Sequence, residues 1–153
     1  MICVIQRVNS AVVYADGEFS GEIGKGLYLL LGVAKGDEKA DAAALAEKIS
    51  KLRIFSDENG KMNLSIKDVD GKALVVSNFT LNANYAHGNR PDYFNSAPPV
   101  PANELYEFFV SELVSRGIEC ATGVFGADMR TEMSTDGPVT IVMDSAVLKG
   151  GRK

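Results

Sequence analysis

Hydrophobic and polar residues alternate through the first third of the chain, a pattern typical of strands with one buried face. Apolar side chains recur at near-alternate positions between residues 2 and 13. Asp16 and Gly17 form a strong hairpin signal and predict a second strand over residues 18–23. The continuous apolar run 27–33 suits a strand buried on both faces. We therefore expect a meander of strands at the start of the fold.

Beyond this meander, helical and strand patterns follow each other along the chain. From Asp37, a plausible cap, to residue 53 the apolar positions share one helical face. Short strands are predicted over residues 61–66 and 72–81. A second helix is predicted from Pro101 or Ala102 to Gly117, with a last strand over residues 139–143.

These elements predict a single α+β domain, in which two helices pack on a strand-dominated curved sheet or partly closed β-barrel. The domain is expected to span residues 1–144, and the basic tail 145–153 is expected to be frayed. The stretch 82–101 is rich in Asn, Pro and small residues. A loop of this length inside a compact domain is more often functional than idle.

Composition narrows the function classes. The 153 residues include 16 Lys or Arg and 20 Asp or Glu, for a net charge of −4, which argues against nucleic-acid binding through bulk charge. No apolar run approaches the ~18 residues of a membrane span, and the first residues lack a signal-peptide pattern, so the expected location is the cytoplasm. Cys3 and Cys120 lie in apolar contexts and are expected to be buried free thiols.

Common catalytic motifs are not found in the sequence. Gly24 and Gly26 lack the third glycine of a dinucleotide loop, because position 29 is Leu. The single histidine, His87, cannot supply a multi-histidine metal site, so neither a metal nor a cofactor is expected. His87 is a possible general base for a Ser or Thr nucleophile, but an exposed loop position is the simpler interpretation.

Two segments carry candidate chemistry. Ser77, Asn78, Phe79 and Thr80 end an apolar strand with three polar side chains in four positions. The simplest interpretation is an edge strand whose side chains bond the backbone. The second segment, TDGPVT at 135–140, reads as a turn that enters a strand.

Together these segments resemble the signatures SQFTL and NxGPVT of the D-aminoacyl-tRNA deacylase family. The resemblance covers most of the chain, up to about Asp144. Two departures are Asn78, where the family has Gln, and Thr135, where the family has Asn. Six further blocks match in the same order: VIQRV at 4–8, GEIG at 21–24, RIFSD at 53–57, GKMNL at 60–64, GNRP at 88–91 and FGADM at 125–129.

The resemblance implies a homodimer that hydrolyses the ester between a D-amino acid and the terminal ribose of tRNA. It further implies that the Gly137-Pro138 peptide bond is cis and that this pair reaches into the partner's pocket. Backbone carbonyls there would accept hydrogen bonds from the substrate ammonium, and the lack of space beside them would reject an L side chain. Glycine, which has no side chain, would be accepted.

The resemblance also assigns roles to other residues. Arg7 matches an arginine that orients the Gly-Pro pair. The segment 77–80 is the catalytic floor, in which the N–H groups of Phe79 and Thr80 stabilise the oxyanion. A hydroxyl of the tRNA's terminal adenosine, rather than a side chain, would position or activate water. Ala97, Phe125 and Met129 match the wall around that adenosine.

Three alternatives stay open. Thr80 is a possible nucleophile. The departures at Asn78 and Thr135 fit an editing enzyme of relaxed chirality that also removes a small L-amino acid. A noncatalytic, homodimeric RNA-binding module is the third alternative. Because the net charge is negative, local cations would have to contact the tRNA phosphates. The candidates are Lys48, Lys51, Arg90 and the tail 149–153.

Overall fold

The computed structural model describes residues 1–150. The strands are β1 (Ile2–Ala15), β2 (Glu18–Ile23), β3 (Gly26–Gly32), β4 (Phe55–Ser56), β5 (Met62–Leu64), β6 (Lys72–Ser77), β7 (Cys120–Thr122) and β8 (Met129–Asp144). The helices are α1 (Lys39–Lys51), α2 (Pro99–Ser115) and α3 (Ser145–Leu148), with one 3₁₀ helix at Phe79–Asn82.

The main sheet is built around β1. This strand pairs antiparallel with β2, β3 and β8, whereas β6 pairs parallel with both β3 and β7. The strand order is β2-β1-β3-β6-β7, and the two outermost strands of this order approach each other. The Ser20 hydroxyl of β2 donates to the Thr122 carbonyl of β7 at 2.8 Å. The predicted α+β fold, with a curved and partly closed β-barrel, is confirmed.

The two faces of the sheet enclose two separate apolar clusters. Along β3, Leu27, Leu29 and Leu31 face the helices, whereas Tyr28 and Leu30 belong to the cluster on the opposite face. This alternation follows from the two-residue period of a strand. The continuous apolar run in the sequence therefore does mark a strand buried on both faces.

The helices cover the first face. Leu45 and Ile49 of α1 are fully buried there, together with Phe109 and Leu113 of α2. Helix α1 begins at Lys39 rather than after Asp37, because Glu38 is the capping residue. No helix among residues 1–150 is both long and apolar enough to span a membrane.

Several predicted boundaries differ from the structure. The strand predicted over 72–81 ends at Ser77, because the side chain of Asn78 caps a 3₁₀ helix instead. The last strand begins at Met129 rather than at residue 139, and it pairs along nearly the whole of β1. Helix α2 begins at Pro99, two residues before the predicted start.

The segment expected to be a frayed tail starts instead with helix α3. Ser145 is buried, and its hydroxyl donates to the Asp41 carboxylate at 2.7 Å. Lys149 pairs with the same carboxylate at 3.1 Å. Residues 145–149 therefore bind to α1. Residues 151–153 of the predicted tail lie outside the described residues.

Candidate active site

A cavity of about 700 Å³ opens where the parallel strands β3 and β6 end. This volume is in the range of small-molecule sites. Strand ends, the long loop, the start of α2 and the start of β8 all contribute to its wall. The lining residues are Tyr28, Leu30, Leu31, Val33, Val76, Ser77, Asn78, Phe79, Tyr93, Ser96, Ala97, Pro99, Ala102, Tyr106, Phe125, Gly126, Ala127, Met129 and Thr131.

The floor of the cavity is the turn from β6 into the 3₁₀ helix. Asn78 Oδ1 accepts hydrogen bonds from the Thr80 backbone N–H at 3.2 Å and from the Thr80 hydroxyl at 2.5 Å. Thr80 is exposed and does not line the cavity, unlike Ser77, Asn78 and Phe79. The Thr80 N–H, to which the family resemblance assigns an oxyanion, donates to Asn78 in this structure.

The backbone N–H of Phe79 differs from that of Thr80. Phe79 is the first residue of the 3₁₀ helix, a position whose N–H has no acceptor within the helix. Within residues 1–150 this N–H donates no hydrogen bond to another part of the chain. Phe79 lines the cavity, and its N–H has no acceptor among residues 1–150.

The lining contains no carboxylate, imidazole, amine, guanidinium or thiol from residues 1–150. Its only titratable side chains are the phenols of Tyr28, Tyr93 and Tyr106. Burial raises the pKa of Tyr106, whose hydroxyl donates to the Val75 carbonyl at 2.7 Å. Burial also raises the pKa of Tyr28, although a hydrogen bond with Thr131 partly opposes the shift. The cavity thus offers no side chain that accepts a proton near neutral pH.

One wall of the cavity is apolar and polarizable. The Phe125 ring lies 6.1 Å from that of Tyr106, with the rings tilted by 52°. Met129 is half-buried and packs over Gly123, where an added Cβ would stand 2.5 Å from the Met129 sulfur. Ala97 completes the wall, held by a hydrogen bond from its N–H to the Val33 carbonyl at 3.0 Å. These are the surfaces that a planar base needs for stacking.

The long loop forms the outer lip of the cavity. The rings of Phe79 and Tyr93 meet edge to face at 5.0 Å. The Ser96 hydroxyl donates to the Phe79 carbonyl at 2.9 Å and so ties the loop to the floor. Phe79 nevertheless stays 58% exposed. The lip therefore presents aromatic surface to whatever enters the cavity.

Gly137 and Pro138 lie apart from this cavity. They lie where the pairing of β8 with β1 is interrupted. Thr135 pairs with Val8, and the next paired residue of β8 is Thr140, which pairs with Gln6. The Gly137-Pro138 peptide bond is cis, and both residues are exposed. Neither residue lines the cavity of its own chain.

Arg7 lies opposite this interruption and is almost completely buried. Its Nε donates to the Asp136 carbonyl at 3.1 Å and lies 3.1 Å from Asp136 Oδ2. Its Nη1 donates to the Ile54 carbonyl at 2.7 Å. Arg7 therefore anchors the residue immediately before Gly137, and it too lies outside the cavity.

His87 is exposed in the long loop and does not line the cavity, which fits the simpler interpretation of this residue. No group of three or more His, Cys, Asp or Glu side chains within residues 1–150 is arranged to hold a metal ion. Cys3 and Cys120 are free thiols; Cys3 is buried, as expected, whereas Cys120 is only partly buried. Desolvation raises the pKa of Cys120 to about 11.

Sequence reasoning missed several lining residues, chiefly Tyr28, Tyr93, Ser96, Tyr106 and Thr131. A signal existed for two of them. Tyr28 and Tyr106 each place one hydroxyl on an otherwise apolar strand or helix face, which indicates a polar partner or a cavity. Tyr93 and Ser96 lie in a loop without periodicity, so no pattern distinguished them from their neighbours.

The sequence of this chain matches a known protein family. The family described as D-Tyr-tRNA(Tyr) deacylase matches residues 4–144. A D-aminoacyl-tRNA deacylase of Pelobacter propionicus is 52% identical over 144 residues, which cover 94% of this chain and 99% of that protein.

Two solved structures share the fold. One, named c-Myc DNA Unwinding Element Binding Protein, has a TM-score of 0.87 at 37% identity and covers 94% of this chain and 98% of its own. The other, described as a probable eukaryotic D-amino acid tRNA deacylase, has a TM-score of 0.78 with the same coverage. At 13% identity the second likeness supports the fold alone.

Proposed function

This chain belongs to the D-Tyr-tRNA(Tyr) deacylase family, and we propose a route by which it selects and cleaves its substrate. As a D-aminoacyl-tRNA deacylase it hydrolyses the ester bond of aminoacyl-tRNA. In the proposed route the tRNA itself supplies the hydroxyl that assists the attack of water, and backbone groups supply both the oxyanion donor and the chiral selection.

The observation that carries the proposal is the neutral lining of the cavity, which offers no general base. The 2′-hydroxyl of the terminal adenosine orients a water molecule, and the water oxygen attacks the ester carbonyl carbon. The Phe79 N–H donates to the developing oxyanion. The bond to the ribose 3′-oxygen then breaks. The water's proton passes through the 2′-hydroxyl to that oxygen, which releases the D-amino acid and tRNA.

The terminal adenine is proposed to stack against the apolar wall. Phe125 offers a ring face, Met129 a polarizable thioether, and Ala97 leaves room beside them. This placement sets the ester towards the floor at Phe79. The aminoacyl group then points out towards the aromatic lip.

Chiral selection is assigned to Gly137 and Pro138 of a second copy of the chain. The pair is exposed, lies where the pairing of β8 with β1 is interrupted and does not line the cavity of its own chain. In a homodimer its carbonyls would bind the substrate ammonium and leave no space for an L side chain, whereas glycine would pass. Arg7 supports this role, because it fixes Asp136 beside the pair.

Two alternatives remain to be separated from this proposal. A Thr80 nucleophile is disfavoured, because the Thr80 hydroxyl donates to an amide oxygen that is not a base. A deacylase of relaxed chirality is motivated by Asn78, which stands one methylene short of the family's Gln. The noncatalytic RNA-binding module does not fit a chain of this family.

Recognition is proposed to concentrate on the acceptor end of tRNA, in the cytoplasm. The net charge of −4 gives little general attraction to a polyanion. Local cations outside the cavity, such as Lys48 and Arg90, are proposed to contribute phosphate contacts. We therefore expect modest affinity for the tRNA body.

The test compares the release of amino acid from D-Tyr-tRNA, Gly-tRNA and L-Tyr-tRNA under multiple turnover. The proposal predicts rapid release from the first two and slow release from the third. Comparable release from L-Tyr-tRNA would support the relaxed deacylase. Release from none of the three would contradict the assignment of this chain as a deacylase.

A further inference from the structure

A second cavity of about 520 Å³ adjoins the first, between helix α2 and the segment that follows β7. Tyr106 and Phe125 line both cavities and so form the partition between them. The second cavity is lined by Asn103, Tyr106, Glu107, Val110, Thr122, Gly123, Val124 and Phe125.

The direction of the tRNA strand follows from the proposed function, on which this inference rests. With the terminal adenine against Phe125, the strand leaves the first cavity on the side of that ring. The next space along this path is the second cavity. We propose that it binds the penultimate nucleotide of tRNA, the cytidine of the CCA end.

The second cavity offers the hydrogen-bonding groups that cytosine requires. Cytosine presents an exocyclic amine, which donates, beside a ring nitrogen and a carbonyl oxygen, which accept. Glu107 supplies a carboxylate acceptor for the amine, and Asn103 supplies an amide donor for the acceptors. Residues 103 and 107 lie one helical turn apart on α2, so both face the cavity from the same side.

Both polar side chains are free to bind a ligand. Within residues 1–150, Glu107 makes no ion pair, and neither Glu107 nor Asn103 makes a side-chain hydrogen bond. This contrasts with Glu112 on the same helix, which pairs with Arg116 at 2.8 Å. A carboxylate that lines a cavity without a partner is a suitable acceptor for a base amine.

The remaining walls suit the faces of a base. Val110 and Val124 are apolar, and Val124 is 51% exposed. Phe125 adds an aromatic surface on which a base stacks without a sequence requirement. The ring would therefore lie between the last two bases of the strand, with adenine on one side and cytosine on the other.

The test uses two substrates, D-Tyr-tRNA and the fragment D-Tyr-adenosine, which carries the ester but no cytidine. Glu107→Ala is expected to lower kcat/KM on D-Tyr-tRNA about tenfold, because a base-edge contact is lost. The loss should be confined to the substrate that carries the cytidine. Glu107→Gln, which keeps an acceptor oxygen, should restore most of the rate, and Glu104→Ala on the same helix is the matched control.

A second arm changes the nucleotide instead of the protein. Uracil lacks the exocyclic amine, so D-Tyr-tRNA with U in place of the penultimate C should react more slowly with wild type. Glu107→Ala should then cause no further loss, because both changes remove one contact. Equal losses on both substrates, or additive losses on the U-bearing tRNA, would overturn the proposal. A wild type inactive on both substrates would instead overturn the proposed function.

Discussion

Asn78 Oδ1 binds Thr80 twice, through the Thr80 backbone N–H at 3.2 Å and the Thr80 hydroxyl at 2.5 Å. This one oxygen caps the 3₁₀ helix and directs the hydroxyl proton to a group that is not a base. The same cap fixes the turn that carries the Phe79 N–H, and Phe79 lines the cavity. Thr80 bonds the cap of this turn from outside the cavity lining, and the Phe79 N–H is the donor proposed for the oxyanion.

The first prediction concerns Thr80. Thr80→Val keeps the shape and removes the hydroxyl, so kcat should fall by less than about tenfold, because no proton transfer is lost. Asn78→Ala removes the cap and should lower kcat about tenfold or more, because the Phe79 N–H is no longer held in place. Single-turnover rates on D-Tyr-tRNA check both. A loss of about 10⁴-fold or more in folded Thr80→Val would establish Thr80 as the nucleophile.

The second prediction concerns Gly123. A Cβ at this position would stand 2.5 Å from the Met129 sulfur, so Gly123→Ala should displace the thioether from the apolar wall of the cavity. KM for D-Tyr-tRNA should rise a few-fold, while the unfolding midpoint changes little, because a flexible Met side chain adjusts. Gly24→Ala is the matched control, since no atom of residues 1–150 lies within 4 Å of its added Cβ. Unchanged KM in Gly123→Ala would argue against this wall as the adenosine site.

The third prediction tests whether the site is shared between subunits. Ala97→Phe should block the cavity, and Gly137→Ala should displace the Gly-Pro segment, because its Cβ would clash with the Val139 backbone nitrogen. Each variant alone should be inactive. After unfolding and joint refolding at equal amounts, mixed dimers should restore about a quarter of wild-type sites.

The control mixes Ala97→Phe with the double variant that carries both Ala97→Phe and Gly137→Ala. This pairing leaves every mixed dimer without an intact site, so it should stay inactive. Mixed dimers that form but remain inactive in the first mixture would contradict a site built from two subunits.

The fourth prediction concerns the stability of the α1–α3 contact. Burial works to raise the pKa of Asp41, but hydrogen bonds from Glu38, Ser145 and Lys149 outweigh it and lower the pKa below its usual value. Because the pKa is lower in the folded state, the ionised carboxylate stabilises the fold at pH values above its unfolded-state pKa. This stabilisation is lost as the pH falls through the folded-state pKa.

Asp41→Asn should therefore lower the free energy of unfolding at pH 7 by about 1–3 kcal/mol, and by less near pH 3. Urea unfolding at the two pH values measures the difference. Glu47→Gln, which removes an exposed pair with Lys51, should change little at either pH. A deficit for Asp41→Asn that is equal at both pH values would show that the charge is not the cause.

Periodicity was sufficient to predict much of the fold. The strand at 27–33 and the helix that begins near residue 38 have regular apolar patterns, and the structure confirms both. The first ten residues of β8 were missed, because Gly137 and Pro138 interrupt an otherwise alternating strand. These residues form a strand by pairing with β1, which lies more than a hundred residues away in the sequence. The local sequence does not indicate so distant a partner.

The candidate site was predicted through family signatures rather than through chemistry. Six of the ten named residues line the cavity, and Thr80, Arg7, Gly137 and Pro138 do not. No pattern indicated that Asn78 would bind Thr80, because that contact depends on the turn after Ser77. Among residues 1–150, the titratable side chains that line the cavity are phenols.

The central claim is that the substrate supplies the hydroxyl that this cavity lacks. The most direct measurement compares single-turnover hydrolysis of D-Tyr-tRNA ending in adenosine with the same tRNA ending in 2′-deoxyadenosine, at saturating enzyme. The account predicts that the deoxy substrate binds but reacts about 100-fold more slowly or worse, because no side chain of the cavity replaces the missing group. Hydrolysis of the deoxy substrate at the full rate would contradict it.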